Sequence, residues 1–117
     1  AGLLLAVATG DDREPTESIL ALLGIADDMA VVVCGDDPLP EKPDPAALFH
    51  IERQNGIYTK RMLMVGDSVN DMLTGHNASV AGCIGINSST GDPLKLAGHA
   101  DAILPSIEQL TVIESTY

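Results

Sequence analysis

Two carboxylates stand four residues apart in Gly66-Asp67-Ser68-Val69-Asn70-Asp71, where an apolar run gives way to a helical pattern. Both can point into one pocket, and magnesium is commonly held by one or two carboxylates, waters and phosphate oxygens, so Asp67 and Asp71 form a plausible partial cage. An N-cap aspartate followed by a second acid in the first helical turn is the structural alternative, and the six residues alone leave both open. The spacing also matches the opening of a calcium loop, but Met72 stands where the sharp turn of that loop needs glycine. A second candidate is Lys42 in Pro40-Glu41-Lys42-Pro43-Asp44-Pro45, where flanking prolines limit the backbone and fix the direction in which the amine is offered. An amine held in this way can neutralise a transferring phosphoryl group. An isolated loop lysine is otherwise solvated and inert. Thr9-Gly10 supplies a hydroxyl and an unobstructed backbone N–H, a suitable pair for phosphate oxygens, although the dipeptide alone also reads as a strand ending in a turn.

The charge balance restricts what such groups can serve. Six basic residues face seventeen acidic ones, for a formal charge of −11. A surface that acidic repels nucleic-acid backbones and anionic membranes, so neither is expected as a partner. A small phosphorylated substrate remains accessible where a few positive groups or a cation focus the field locally. His50, His76 and His99 show no metal-ligand spacing and read as structural or surface residues. No GxxxxGK[ST], GxGxxG or GxSxG occurs, which removes support for nucleotide-loop and serine-hydrolase chemistry. Cys34 and Cys83 form no CxxC and adjoin apolar runs, which predicts two buried thiols and suits a reducing, cytoplasmic location. The run Leu3 to Ala8 is too short to span a bilayer and no basic stretch precedes it. The sequons at Asn77 and Asn87 are read as chance matches.

These groups need a scaffold, and 117 residues allow one domain spanning residues 1–117. With one Phe, two Tyr and no Trp, its core must come from Leu, Ile, Val, Ala and Met. Continuous apolar runs predict strands buried on both faces at 3–8, 30–34, 61–65, 83–86 and 102–104. Helices are predicted from about Arg13, with Ile19, Leu20, Leu22 and Leu23 as its apolar stripe and Gly24 as its C-cap, and from Asp44-Pro45 to Asn55-Gly56. Two more are predicted, from about Asn70 to Ala81 with Gly82 as C-cap and a last one from Ser106 through Leu110. A loop of Asn, Ser, Thr and Gly separates the fourth and fifth strands. Strand and helix alternate, so the expected fold class is α/β: a Rossmann-like parallel sheet with helices on both faces and right-handed crossovers. Ligands bind outside the carboxyl ends of such strands, where Thr9-Gly10, Gly35-Asp36 and Gly66-Asp67 lie.

Taken in order, Ala6-Val7-Ala8-Thr9-Gly10, then Gly35-Asp36-Asp37 with Lys42-Pro43-Asp44-Pro45, then Val65-Gly66-Asp67-Ser68-Val69-Asn70-Asp71 resemble the second, third and fourth motifs of haloacid dehalogenase superfamily phosphatases, those of the phosphoglycolate phosphatase type included. Ala81 to Ile86 and Ala100 to Leu104 resemble the next two strands of that family. The resemblance implies a magnesium-dependent phosphatase acting on a small phosphorylated metabolite. In it Thr9 and Lys42 would be the catalytic groups present, and Thr9, Gly10 and Lys42 would bind phosphate, with Ser68 and Asn70 lining the same pocket. Asp67 would ligate magnesium with the support of Asp71. Family members attack the phosphoryl group with an aspartate and use a second one, two residues later, as general acid and base. Those two belong to an Asp-x-Asp-x-Thr motif on an earlier strand, and no Asp-x-Asp occurs in this sequence. A cap domain between the first and second motifs is likewise not seen. Asp11, an acid just beyond Thr9, is a smaller departure.

The resemblance therefore implies an incomplete core, the carboxyl-terminal part of the fold, whose nucleophile strand would lie between the strand ending at Thr9 and that ending at Val65. Without it those two strands either pair directly or expose edges that invite another strand, from a further segment or a second copy. A nonenzymatic phosphate- or magnesium-binding module derived from the fold is the competing expectation. A bacterial receiver domain shares the length, the acidity and an acidic pair, Asp11-Asp12, but would carry its Lys-Pro near the last strand, whereas Lys42-Pro43 precedes the third.

Overall fold

The computed structural model describes residues 2–87 and 93–111. Strands β1 (Leu5–Ala8), β2 (Met29–Val33), β3 (Leu63–Gly66), β4 (Gly82–Ile86) and β5 (Ala102–Leu104) alternate with helices α1 (Arg13–Leu22), α2 (Ala46–Asn55), α3 (Val69–Asn77) and α4 (Pro93–Ala97). All strand pairs are parallel, as alternating strands and helices require. The expected loop of Asn, Ser, Thr and Gly falls largely on 88–92, outside the described residues. Among the described residues no helix is long and apolar enough to cross a membrane.

Hydrogen bonding divides the strands into two sheets, β1-β2 and β3-β4-β5, where the sequence pattern predicts one. Of the two alternatives for β1 and β3, direct pairing and open edges, the structure shows open edges among the described residues. The apolar opening run is accordingly not buried on both faces: Leu3, Leu4 and Leu5 are 63%, 54% and 51% exposed, and Leu63 at the start of β3 is 60% exposed. A continuous apolar run shows that a strand has an apolar place to go, and burial of that strand depends on neighbours its own sequence does not specify.

One core nonetheless joins the two sheets. Val33 from β2, Ala47, Leu48 and Ile51 from α2, Met64 from β3, Met72 from α3 and Cys83 from β4 pack into a single cluster. Helix α2 lies against β1 and β2, and α3 against β3 and β4. Gly75 lets α3 approach β4, since a Cβ there would collide with the Cys83 thiol. The expected apolar stripe of α1 reduces to Leu20; Ile19, Leu22 and Leu23 are exposed because little packs on this helix beyond the short turn that follows it.

Helix ends follow local chemistry closely in two places. Gly24, at φ +73°, follows the C-cap Leu23, with its N–H on the Ala21 carbonyl and the Ile25 N–H on Leu20. This is the six-to-one and five-to-two pattern that favours glycine after a helix. Gly56, at φ +67°, ends α2, and Asp44 Oδ1 accepts the Ala46 N–H at its start. Gly82 does not cap α3, which stops at Asn77 with Ala78 as its cap; Gly82 opens β4 instead, and the Ala81 N–H already bonds the Met62 carbonyl. The last predicted helix is a single 3-10 turn, Ile107–Gln109, with Ser106 Oγ accepting the Glu108 N–H.

Met72 is fully buried at the centre of this core, so Met72→Ala should cost about 2–5 kcal/mol of unfolding free energy in urea denaturation. Leu22→Ala, at a position 87% exposed, should change it by no more than about 0.5 kcal/mol. Similar losses at both positions would contradict this placement of the core.

Candidate functional site

Three strand-to-helix junctions meet at one cavity of about 280 Å³. Thr9 and Gly10 enter it from the end of β1, Cys34 and Gly35 from the end of β2, and Ser68 and Asn70 from the end of β3, while Leu39, Pro40, Glu41 and Lys42 close one side. Each polar group arrives just after an apolar strand, the position at which parallel α/β sheets present ligand-binding groups.

Lys42 is central to this geometry. Its Nζ donates to the Ala8 carbonyl at 3.0 Å and to Asp71 Oδ1 at 2.7 Å, tying the end of β1 to the start of α3. The ammonium carries three protons, so one N–H remains for a ligand in the cavity. The Lys42–Pro43 peptide is cis.

Asp71 is committed on both oxygens. Oδ1 faces Lys42, and Oδ2 accepts from the Ser68 N–H at 3.2 Å and the Ser68 hydroxyl at 3.0 Å, while the Asp71 N–H returns to Ser68 Oγ. This is a capping box, with Ser68 as N-cap and Asp71 three residues on. Close packing of this carboxylate against β3 requires Gly66, whose hypothetical Cβ would overlap it. Ser68 lines the cavity, but its only hydroxyl proton is already donated to Asp71.

Thr9 Oγ1 accepts the Asp11 N–H at 3.1 Å, which leaves its own proton to donate, and the Gly10 N–H bonds to no described residue. Asp11 contributes through its main chain: its carbonyl accepts the Gly35 N–H at 2.7 Å, while the residue itself is exposed. The Asn70 side chain is exposed at the cavity and makes no hydrogen bond to a described residue.

Asp67 and Asp71 are thus not equivalent as metal ligands. Asp67 is exposed beside the cavity, outside its lining, and makes no ion pair or hydrogen bond with a described residue. Three of the roughly four lone-pair sites of Asp71 accept from Lys42 and Ser68, so a cation would have to share Oδ1 with Lys42. Among the described residues no group of three or more His, Cys, Asp or Glu could enclose a metal. The residues present would fit a metal ion held through one protein carboxylate, Asp67, with water and phosphate oxygens as its other ligands.

A further ion pair, which no motif or spacing in the sequence announces, lies beside the cavity. Arg13, at the start of α1, donates from Nη2 and Nε to Asp37 Oδ2 and Oδ1 at 2.7 and 3.3 Å. Nη2 also reaches the Val32 carbonyl, and Nη1 reaches Glu17. Asp37 Oδ2 accepts the Cys34 N–H at 2.9 Å. That backbone bond, followed by Arg13, holds the Asp37 carboxyl below its ordinary pKa, and Asp37 in turn raises that of the guanidinium. In a chain with six basic residues, an arginine opening a helix directly after a strand-end loop was the available signal.

Of the remaining titratable candidates, only Cys34 lies in the cavity lining. His76 donates to the His99 carbonyl, away from the cavity. Both cysteines are buried free thiols. Burial, with Asp101 nearby, pushes the Cys83 thiol up, which disfavours the reactive thiolate.

Comparison with known proteins comes out in one direction. The family profile described as haloacid dehalogenase-like hydrolase matches residues 1–79. The chain is 32% identical over 114 residues to phosphoglycolate phosphatase of Yersinia pseudotuberculosis, covering 91% of the chain and 49% of the relative. It is 36% identical over 106 residues to the Neisseria meningitidis phosphoglycolate phosphatase, covering 89% and 43%. Among solved structures, a predicted phosphoglycolate phosphatase from Haemophilus somnus superimposes with a TM-score of 0.77 at 27% identity, covering 87% of this chain and 45% of that one. CbbY from Rhodobacter sphaeroides, a mutant in complex with xylulose-(1,5)bisphosphate, gives 0.82 at 26% identity, covering 93% and 49%. The chain spans about half the length of the relatives it matches.

A carboxyl whose pKa is lowered by folding contributes stability that is fully present above its unfolded value, about 3.9, and is lost as pH falls through the lower folded value. Asp37→Asn should therefore be less stable than the wild type at neutral pH, with the difference shrinking as pH falls below about 4. Urea denaturation between pH 7 and the acid limit of folding checks this. A difference that does not vary with pH would contradict the role of Asp37.

Proposed function

Because the chain belongs to the haloacid dehalogenase-like hydrolase family, we propose that its cavity binds the phosphate of a small phosphorylated metabolite and serves magnesium-dependent phosphomonoester hydrolysis of the phosphoglycolate phosphatase type. The observation that carries this reading is the convergence on one cavity of the Thr9 hydroxyl, the Gly10 N–H and the uncommitted proton of Lys42. Three donors from two separate loops suit a tetrahedral oxyanion, and a preorganised ammonium stabilises charge that grows on phosphoryl oxygens during transfer. Asn70 offers a further donor at the rim. Asp71 aims Lys42 and fixes the start of α3, while Ser68 holds Asp71. Asp67 would hold magnesium, which when bound supplies charge neutralisation on phosphate oxygens.

Glu41 is the one acid among the described residues lining the cavity, and the resemblance assigns attack on phosphorus to an aspartate of an Asp-x-Asp-x-Thr strand rather than to Glu41 or to Asp71, which is engaged with Lys42 and Ser68. In this reading the attacking aspartate and its acid-base partner come from a strand seated at the open edges of β1 and β3, on a further segment of the protein or a partner. The exposed Leu3, Leu4, Leu5 and Leu63 give such a strand apolar surface to cover, and the same edges suit self-association. A cytoplasmic location belongs to this reading and is in line with two unpaired thiols. The second reading, a phosphate-binding module without catalysis, draws on the same donors, because Thr9, Gly10 and Lys42 can hold an oxyanion with no nucleophile present.

Phosphate release from an aryl phosphate with magnesium distinguishes these outcomes. Residues 1–117 alone should give negligible turnover, because the covalent route is closed without its nucleophile. Fusion of a segment carrying the Asp-x-Asp-x-Thr strand should restore it, and Lys42→Ala or Asp67→Asn in that fusion should lower kcat/KM at least about a hundredfold. A fusion that binds phosphate without turnover would favour the nonenzymatic module. Robust turnover by the chain alone would place the nucleophile within these residues and overturn the proposal.

A further inference from the structure

The Arg13–Asp37 pair joins the loop that supplies two of the phosphate donors, Thr9 and Gly10, to the loop that packs against it. The first loop, residues 9–12, follows β1; the second, residues 34–37, follows β2. Arg13 reaches the second loop by two routes, its guanidinium on Asp37 and its own backbone N–H on Asp36 Oδ1 at 2.9 Å, and the same guanidinium holds the Val32 carbonyl in β2 just before it. Asp37 passes this restraint inward by accepting the Cys34 N–H at 2.9 Å. From Cys34 the chain turns into Gly35, whose N–H donates to the Asp11 carbonyl at 2.7 Å. Gly35 also packs so closely on Gly10 that any Cβ would overlap the Gly10 carbonyl. Asp11 closes the circuit, since its N–H donates to Thr9 Oγ1. An unbroken chain of contacts therefore runs from Arg13 through Asp37, Cys34, Gly35 and Asp11 to Thr9 and Gly10.

We propose that Arg13 and Asp37 are positioning residues of the phosphate site, locking the 34–37 loop against the 9–12 loop so that the Thr9 hydroxyl and Gly10 N–H are held ready for an oxyanion. Neither side chain lines the cavity, so the effect is transmitted through the Gly35–Gly10 contact. The bidentate guanidinium–carboxylate geometry matters here because it fixes the direction of two bonds at once, which a point charge does not. This inference rests on the phosphate-binding reading of the cavity, and it separates from plain electrostatics at Asp37. Removing a negative charge beside an anion site should tighten phosphate binding by Coulomb's law; removing a clamp should weaken it.

The test is a titration of the chain with inorganic phosphate at constant ionic strength, following the amide resonances of Thr9, Gly10 and Gly35, together with hydrogen exchange at the Gly35 and Cys83 amides. Arg13→Ala and Asp37→Asn should each weaken phosphate about tenfold, and the double variant should be little weaker than either, as expected for two groups acting as one unit. Arg13→Lys should recover less than half of the loss. Exchange at Gly35 should accelerate in both single variants while Cys83, bonded to Asp101 in the other sheet, stays protected. Wild-type affinity in Asp37→Asn, tighter binding, or full rescue by lysine would overturn the positioning role. Equal acceleration at Gly35 and Cys83 would also overturn it, as the pair would then serve global stability alone. If phosphate leaves the wild-type Thr9 and Gly10 amides unmoved, the binding reading itself fails; exchange at Gly35 then shows separately whether the clamp exists.

Discussion

The ion pair between Lys42 and Asp71 is the constraint on which the rest of the molecule depends. The two sheets share no hydrogen bond among the described strands, so their relative placement rests on the common apolar core, on this bridge and on the neighbouring hydrogen bond from Asn77 Nδ2 to the Pro43 carbonyl. The lysine and aspartate side chains are 23% and 10% exposed, which makes the pair more than a surface salt bridge. Removing either partner would leave the other partly buried and uncompensated, the costly case for ion pairs away from bulk water. The bridge fixes three things together: the carbonyl end of β1, the first turn of α3, and the direction of the lysine amine. A site assembled from three separate strand ends needs such a tie, because each end alone is free to move with its own sheet.

The same arrangement explains how so acidic a chain can receive an anion. Among the described residues lining the cavity, Lys42 is the one basic side chain and Glu41 the one acidic side chain, and because Lys42 shares its charge with Asp71, an anion is favoured by the directed Lys42, Thr9 and Gly10 donors rather than by a net positive charge. Most of the negative charge lies on exposed surface, where water and salt screen it. The placement of donors at the cavity, rather than the formal charge of −11, sets what can bind there.

Much of this was legible in the sequence where local chemistry decides the outcome. The boundary between an apolar run and a Gly-Asp or Thr-Gly pair marks the end of a strand, because buried strands must stop where polar groups reach solvent; this located β1, β2 and β3 and with them Thr9, Gly35 and Asp67. Gly24 and Gly56 were readable because each follows the end of its helix at positive φ. The role of Gly82 was not, because a glycine after a helix can equally open a strand that must lie close to its neighbours. Exposure of Leu3, Leu5, Ile19 and Leu22 was also hidden, since an apolar residue shows its tendency to be buried and not whether a partner is present. The Arg13–Asp37 clamp spans twenty-four residues of sequence and follows no periodicity, so only the fold discloses it.

The central claim is that Lys42, Thr9 and Gly10 together form an oxyanion site between the two sheets. A crystal of the chain soaked in tungstate, a heavy tetrahedral oxyanion, tests it most directly by anomalous scattering. The account predicts one peak within hydrogen-bond reach of Lys42 Nζ, Thr9 Oγ1 and the Gly10 N–H, lost in Lys42→Ala. Tungstate bound elsewhere, or bound there unchanged in the absence of the lysine, would contradict it.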